Sequence, residues 1–183
     1  GPTPMALRKD ALLAATRIMQ DVVVAAHRHP PHGRGTVGMV QVFPNSRNVI
    51  PGRVKFSIDL RNSTDALVDA MAAEVKAFAD QVAKEHGVQV HIEMVSSYPA
   101  QLFQPECVEA VGRAAAKLGY SHMPAVSGAG HDAVYMAKLA PSGMIFIPCK
   151  DGISHNEIED AKPEHIEAGC NVLLHAMLER AGT

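Results

Sequence analysis

Two long segments with helical spacing of apolar residues enclose two short segments in which apolar and polar residues alternate. The helical segments cover about 3–29 and 64–86, and the alternating segments cover 36–43 and 54–60. A helix buries one stripe of side chains and a half-covered strand buries every second one, so each pattern fixes which side faces a core. The first half of the chain is therefore restricted to helices that cover one face of a small sheet.

The residues at the ends of these segments support the same assignment. Thr3 before Pro4 is an N-cap signal for the first helix, Thr64 is one for the second, and Gly87 is placed to end the second. The segment 88–95 follows as a further predicted strand.

The order helix, strand, strand, helix, strand predicts an α+β sandwich over residues 1–98. The two alternating segments are expected to pair antiparallel, with one face covered by the helices. Sandwiches of this kind usually have four strands, and the natural place for the fourth is just before Gly1. We therefore expect the chain to begin inside a domain.

The second half of the chain, 99–183, has the alternation of an α/β domain but few strands. Helices are expected at 106–118 and 163–178, and a short apolar strand at 144–148. The inward side chains predicted for the last helix are Ile166, Cys170, Leu173, Leu174 and Met177. With so few strands, these residues are expected to be only part of a doubly wound sheet.

Composition excludes several classes of function. The net charge is -2, and the lysines and arginines are scattered, so no basic stripe indicates a nucleic-acid partner and no polybasic segment indicates a membrane surface. No apolar run approaches a membrane span, and no signal-peptide pattern is seen, so a cytoplasmic location is expected. The three cysteines are far apart and predict neither a disulfide framework nor a structural zinc site.

Two polar turns in the last third carry the chemistry. Residues 127–132 (SGAGHD) place His131 after the small residues Gly128, Ala129 and Gly130, and residues 153–159 (ISHNEIE) place His155 among acids. Imidazoles in such turns can meet a metal or a substrate, and glycine-rich backbone N–H groups can approach an anion. The plainer alternatives are a helix-start turn and a loop-capping histidine.

Five motifs occur in the order found in one family. They are GPTPM with RKDA (1–11), PNSRNVIPG (44–52), DLR (59–61), SGAGHDA (127–133) and GISHN (152–156). Through them the chain resembles the C-terminal part of the N-carbamoyl-L-amino-acid hydrolases. These are grouped with allantoate amidohydrolases and β-ureidopropionases in the aminoacylase/carboxypeptidase-type metallohydrolase superfamily.

The resemblance implies a fold and an assembly. Residues 1–98 would be a ferredoxin-like, two-layer lid domain that also forms a homodimer, with its first strand missing. Residues 99–183 would be the C-terminal part of an α/β metallohydrolase catalytic domain. The first half of that domain, which in relatives supplies most metal ligands and the glutamate general base, is not in the chain.

The resemblance also implies roles for particular residues. His155 would be the last ligand of a site for two divalent metal ions, oriented by Glu157 or Glu159. His131 would polarise the substrate beside the 128–130 loop, while Asn48 and Arg61 would hold the free carboxylate of a small-molecule substrate. Without the resemblance, Arg61 is a solvated charge and Asn48 a turn residue.

The implied reaction is metal-assisted hydrolysis to a free amino acid, carbon dioxide and ammonia. Because the general base and most ligands are missing, the chain alone is expected to be inactive. Allantoate, a ureido-β-alanine or an N-acyl-amino acid would suit the same scaffold as substrates, and a non-catalytic dimerisation module is an alternative of another class. Zinc, manganese, cobalt and nickel fit equally well.

Overall fold

The computed structural model describes residues 1–182 and shows a mixed α/β protein. Two compact units are present, Gly1–Ala100 and a second that begins at Gln101. None of the helices among residues 1–182 has the length and apolar character that a membrane span requires.

The first unit contains two long helices and four short strands. They are α1 (Ala11–Arg28), β1 (Arg34–Thr36), β2 (Val40–Phe43), β3 (Arg53–Phe56), β4 (Asp59–Arg61) and α2 (Asp65–His86). The ends of α2 are as predicted: the Thr64 side chain accepts a hydrogen bond from the backbone N–H of Leu67, and Gly87 adopts a left-handed conformation with φ of 62°.

The predicted start of α1 at Thr3 is wrong. Residues Met5–Leu7 form only a single 3-10 turn, and α1 begins after Asp10. The Asp10 carboxylate accepts hydrogen bonds from the backbone N–H groups of Leu12 and Leu13, at 2.9 and 3.0 Å. Asp10 thus satisfies two of the donors that a helix N-terminus leaves unpaired, so the helix starts there.

The two alternating segments pair antiparallel, as predicted, but they form four short strands in two ladders instead of two continuous strands. Strand β1 pairs with β4, and β2 pairs with β3. Between the ladders, residues 37–39 lie opposite residues 57–58, so one chain segment has an extra residue. This bulge changes which side chains of the first segment face outward, and both ladders keep one exposed and one covered face.

The core of this unit lies between the two helices and the covered face of the strands. Its fully buried members are Ala14, Ile18, Val22, Ala25, Val75, Ala79 and Val82. Phe56 and Leu60 pack on them from β3 and β4, and Ile58 packs on them from the segment between these strands. Strand β1 approaches α1 so closely that a Cβ at Gly35 would lie 2.4 Å from the carbonyl oxygen of Val22.

No strand forms at 88–95, contrary to the prediction. Val88 and Val90 do pack against the core, so the alternation of apolar residues is present. A strand is defined by a hydrogen-bonded partner, however, and residues 1–182 provide none for this segment. The alternation of apolar residues therefore predicted which side chains of 88–95 are covered, but it did not predict whether the segment pairs with another strand.

Over residues 101–182 the second unit contains three α-helices, α3 (Pro105–Lys117), α4 (Asp132–Met136) and α5 (Pro163–Ala181), and a short 3-10 helix at Lys150–Gly152. Its core is small and consists of Ala110, Ala114, Ala115, Val172 and Ala176. The two long helices, α3 and α5, begin with proline in the first turn, as helices often do.

Two predictions for this unit are wrong. Residues 144–148 form no strand among the described residues. Helix α5 turns Val172 and Ala176 inward, whereas the five side chains predicted to be inward are not buried, and Met177 is 61% exposed. Apolar residues surround much of this helix, so the sequence alone did not identify which side meets α3.

Candidate functional site

Strand β4 places Asp59 and Arg61 two residues apart, hence on the same face of the strand. Arg61 donates from Nε to Oδ1 of Asp59 at 2.8 Å and from Nη2 to Oδ2 at 2.9 Å. Both side chains are 48% exposed. The hydrogen bond from Arg61 lowers the pKa of Asp59, and the same bond raises the pKa of Arg61. Arg61 is thus a charged, exposed guanidinium in a fixed orientation.

Asn48 lies in the exposed turn between β2 and β3. Two backbone hydrogen bonds hold the C-terminal side of the turn. The N–H of Ala11 donates to the carbonyl of Pro51, and the N–H of Gly52 donates to the carbonyl of Phe43, both at 3.1 Å. Within residues 1–182 the side-chain amide of Asn48 has no hydrogen-bond partner. It can therefore serve a ligand as donor or acceptor.

His131 stands immediately before α4, at the end of the 127–130 loop. Its Nε2 lies 2.7 Å from the hydroxyl oxygen of Ser127, and this oxygen also accepts the backbone N–H of Ala129 at 3.1 Å. The ring of Phe146 meets the imidazole edge-on, with centroids 5.5 Å apart. The imidazole is held by a hydroxyl at one side and an aromatic ring at another.

Neither the backbone conformation of this loop nor the packing inside its unit requires glycine at positions 128 and 130. Neither Gly128 nor Gly130 has a positive φ, and a Cβ at either position would meet no atom within 4 Å. Backbone strain and internal packing therefore do not explain the absence of side chains. Small residues here leave the backbone accessible from outside the unit.

His155 lies in a second exposed turn and has a positive φ of 57°, which is unusual for a residue with a side chain. Its backbone N–H donates to Oε2 of Glu159 at 2.9 Å, and its Nδ1 lies 3.1 Å from the hydroxyl of Ser154. The expectation that Glu157 or Glu159 would orient the imidazole is thus wrong. Glu159 fixes the backbone, and Ser154 meets the ring.

The two histidines are not joined by a hydrogen bond or ring contact within the described part of the chain. Nor do three or more His, Cys, Asp or Glu residues among 1–182 converge as a group that could hold a metal ion. On this chain His155 is a single candidate donor, and a metal site would need ligands from elsewhere.

Sequence reasoning missed three residues that contact the predicted ones: Asp59, Ser127 and Ser154. The Asp59–Arg61 pair could have been found, because residues two apart on a strand share a face. The contact from Ser127 to His131 depends on the path of the loop, for which the sequence carries no comparable rule.

Comparison with known proteins gives a consistent result. Residues 7–179 match the family described as peptidase family M20/M25/M40. The chain is 48% identical over 181 residues to an N-carbamoyl-L-amino-acid amidohydrolase of Rhizobium meliloti, a match that covers 99% of this chain and 44% of the relative. It is 30% identical to the allantoate amidohydrolase of Bacillus subtilis, with the same shares covered.

A solved structure is similar over the same region. It is an amidase of the hydantoinase/carbamoylase family from Burkholderia multivorans, 54% identical, with a TM-score of 0.93 over 99% of this chain and 44% of that one. The chain thus spans less than half the length of the proteins it matches.

Proposed function

The chain belongs to peptidase family M20/M25/M40, and on this premise we propose that it is part of an amidohydrolase that acts on N-carbamoyl-L-amino acids. The observation that carries the proposal is the 48% identity, across 99% of the chain, to a relative named for this activity. The products would be the free amino acid, carbon dioxide and ammonia.

Residues 1–98 would be the lid and residues 99–183 part of the catalytic domain. We propose that the lid is a ferredoxin-like sandwich and that it mediates a homodimer. The two helices on one face of the strands and the partly covered segment 88–95 support the sandwich, because Val88 and Val90 already contact its core.

Recognition of the substrate carboxylate would fall to Arg61 and Asn48. A guanidinium binds a carboxylate with two parallel hydrogen bonds, and charge-assisted bonds of this kind are stronger than neutral ones. Arg61 is exposed at the end of β4, and the Asn48 amide is unpaired among residues 1–182. Together they would select substrates with a free α-carboxyl group.

The 128–130 loop and His131 would meet the carbamoyl group. The loop supports this role because its glycines leave open space beside the backbone. A backbone N–H of the loop and a ring N–H of His131 can donate to the carbonyl oxygen, where negative charge develops during hydrolysis.

Enzymes of this family generally use divalent metal ions. The residues described here do not by themselves fit such a site, since only His155 is a candidate ligand and no group of three donors converges. We propose His155 as one ligand, with its backbone fixed by Glu159.

Allantoate is a second candidate substrate, favoured by the 30% identity to an allantoate amidohydrolase. Allantoate and N-carbamoyl-amino acids share a carboxylate and a ureido group, so Arg61 and Asn48 would hold either. The choice would depend on contacts with the rest of the substrate.

The test is a substrate panel with the full-length protein that contains this chain, supplied with divalent metal. The panel is N-carbamoyl-L-methionine, its carboxamide, allantoate and N-acetyl-L-methionine. We expect the fastest turnover of N-carbamoyl-L-methionine and little of its carboxamide. Faster turnover of allantoate would select the second candidate, and no turnover at all would favour a non-catalytic dimerisation module.

A second measurement uses the 183-residue chain alone with the same metals. We expect no turnover, because one candidate ligand is too few for a metal site. Turnover by this chain would contradict the proposed division of the site.

A further inference from the structure

The exposed face of the β1–β4 ladder carries an arrangement of charges that the proposed function does not yet use. Arg34 lies directly opposite Arg61, and Thr36 lies opposite Asp59. Residues directly opposite on antiparallel strands share a face, and like charges in that position repel each other. Asp59 is the single carboxylate among these four positions.

The two arginines are held differently. Arg34 donates from Nη1 to the carbonyl oxygens of Pro31 and Gly33, at 3.1 and 3.2 Å, and so turns back toward its own turn. Arg61 is bound through Nε and Nη2 to both oxygens of Asp59, along its own strand. The face therefore fixes Arg61 in one orientation while keeping it exposed.

Fold stability does not account for this pair. Ion pairs between exposed side chains contribute little to stability, because water screens them and two long side chains must be ordered. The ordering itself has a consequence for binding. A guanidinium that is already oriented loses less conformational freedom when a carboxylate arrives, which strengthens binding without any new contact.

We propose that Asp59 is a positioning residue for Arg61, which it holds ready for the α-carboxylate of the substrate. The inference rests on the proposed function, since it assigns to Arg61 the role of carboxylate binder. Asp59 does not touch the substrate. It acts through the orientation of the guanidinium, and it also offsets the repulsion between Arg61 and Arg34.

A competing arrangement has the opposite effect on binding. If Asp59 merely occupied the guanidinium in place of the substrate, its removal would strengthen substrate binding. The bidentate geometry favours positioning, because it restrains the guanidinium plane through two donors at once. The sign of the change in KM separates the two.

The experiment measures kcat and KM for N-carbamoyl-L-methionine and its carboxamide with the full-length protein. The variants are Asp59→Ala, Asp59→Asn, Arg61→Ala and the double variant Asp59→Ala/Arg61→Ala. Asp80→Asn is the matched control, because Asp80 is an exposed aspartate of the same unit, 2.9 Å from Lys76 in an ion pair.

We expect Asp59→Ala to raise KM for the acid about tenfold while kcat changes less than about twofold, as loss of uniform binding should. Asp59→Asn keeps one acceptor oxygen and should raise KM less. In the Arg61→Ala background, the loss of Asp59 should add nothing, because a residue that acts only through Arg61 has no effect without it. Asp80→Asn should match the wild type.

Several outcomes overturn the inference: an unchanged or lowered KM in Asp59→Ala, an equal loss in the Arg61→Ala background, or a loss in kcat alone. They are distinct from a failure of the proposed function. In that case the wild-type protein would not hydrolyse N-carbamoyl-L-methionine, or would not prefer it to the carboxamide.

Discussion

The hydroxyl oxygen of Ser127 lies 2.7 Å from Nε2 of His131, while it also accepts the backbone N–H of Ala129. One side chain thus fixes both the loop and the imidazole. The hydroxyl can donate its proton to Nε2 or to the carbonyl oxygen of Ala129, 3.5 Å away, and it can accept from a protonated Nε2, so either tautomer of the ring keeps this contact. Ser127 is placed to fix the orientation of the His131 ring.

Replacement of Ser127 by alanine should lower kcat of the full-length protein about tenfold, whereas His131→Ala should lower it about 10²–10³-fold, as loss of an oxyanion donor does. The smaller effect is expected because the imidazole remains but loses its orientation. Steady-state kinetics with N-carbamoyl-L-methionine provide the measurement. Ser121→Ala, an exposed serine of the same unit, is the control. Wild-type kinetics in Ser127→Ala would show that the contact has no catalytic consequence.

Gly130→Ala tests whether a substrate approaches the loop. No atom lies within 4 Å of the added Cβ, so the melting temperature should not fall. If the backbone N–H groups meet the substrate, the methyl group obstructs them, and kcat/KM should fall about tenfold or more. Gly38→Ala is matched, because its Cβ also meets nothing within 4 Å and Gly38 is assigned no role. Equal kinetics for the two variants would remove the loop from the proposed site.

His155→Ala should reduce the metal bound by the full-length protein. Mutation of residues that only hydrogen-bond to a metal ligand already lowers metal affinity about 10–100-fold, so loss of the ligand itself should lower the affinity at least about tenfold. Metal content after dialysis and titration with a chelator measure this without reference to activity. The control is His122→Ala, since His122 is exposed in the same unit and its Nδ1 lies 3.1 Å from the carbonyl oxygen of Tyr120. Unchanged metal content would exclude His155 as a ligand.

The helices of the fold were largely predictable because their signals are local. Helix α2 begins after Thr64 and ends before Gly87, as predicted from the sequence, because an N-cap and a left-handed glycine each act within one turn of the helix. Strand 88–95 was not predictable in the same way, because a ladder needs a partner that is distant in the chain. The inward face of α5 was predicted wrongly for a related reason: Val172 and Ala176 are buried in one cluster with alanines of α3, whereas the larger Leu173 and Leu174 are exposed.

The sequence predicted which residues belong to the candidate site, but it did not predict which residues contact them. Sequence motifs indicated Arg61, His131 and His155, and each lies exposed or partly exposed outside a core. Their partners were not indicated, because the orientation of an imidazole depends on the path of its loop. Ser154, instead of a nearby glutamate, meets His155.

Gly35→Ala should destabilise the first unit by about 1–3 kcal/mol, as overpacking of a tight interior does. The added Cβ would lie 2.4 Å from the carbonyl oxygen of Val22 and 3.1 Å from Cβ of Ala26, so β1 or α1 must move. Chemical denaturation measures the loss. Gly38→Ala, in open space, should be neutral or stabilise by about 0.4–1 kcal/mol through the unfolded chain. A Gly35→Ala protein as stable as Gly38→Ala would contradict the close approach of β1 to α1.

Asp21 is the buried acid of the first unit, only 5% exposed. Arg28 lies 3.5 Å from its Oδ1, and its Oδ2 has no hydrogen-bond partner among the described residues. Burial raises the pKa of Asp21, Arg28 partly opposes this, and Glu74 adds to it. The folded state therefore favours the protonated form relative to the unfolded chain.

The contribution of Asp21 to stability is accordingly greatest below the ordinary carboxyl pKa and is lost as the pH rises through its raised folded-state pKa. Asp21→Asn cannot ionise, so it should gain stability relative to the wild type as the pH is raised from about 4 to about 7. Thermal melts across this range measure the difference, with Asp80→Asn as the exposed control. If Asp21→Asn lost stability relative to the wild type as the pH rises, the ion pair with Arg28 would outweigh the burial of the charge.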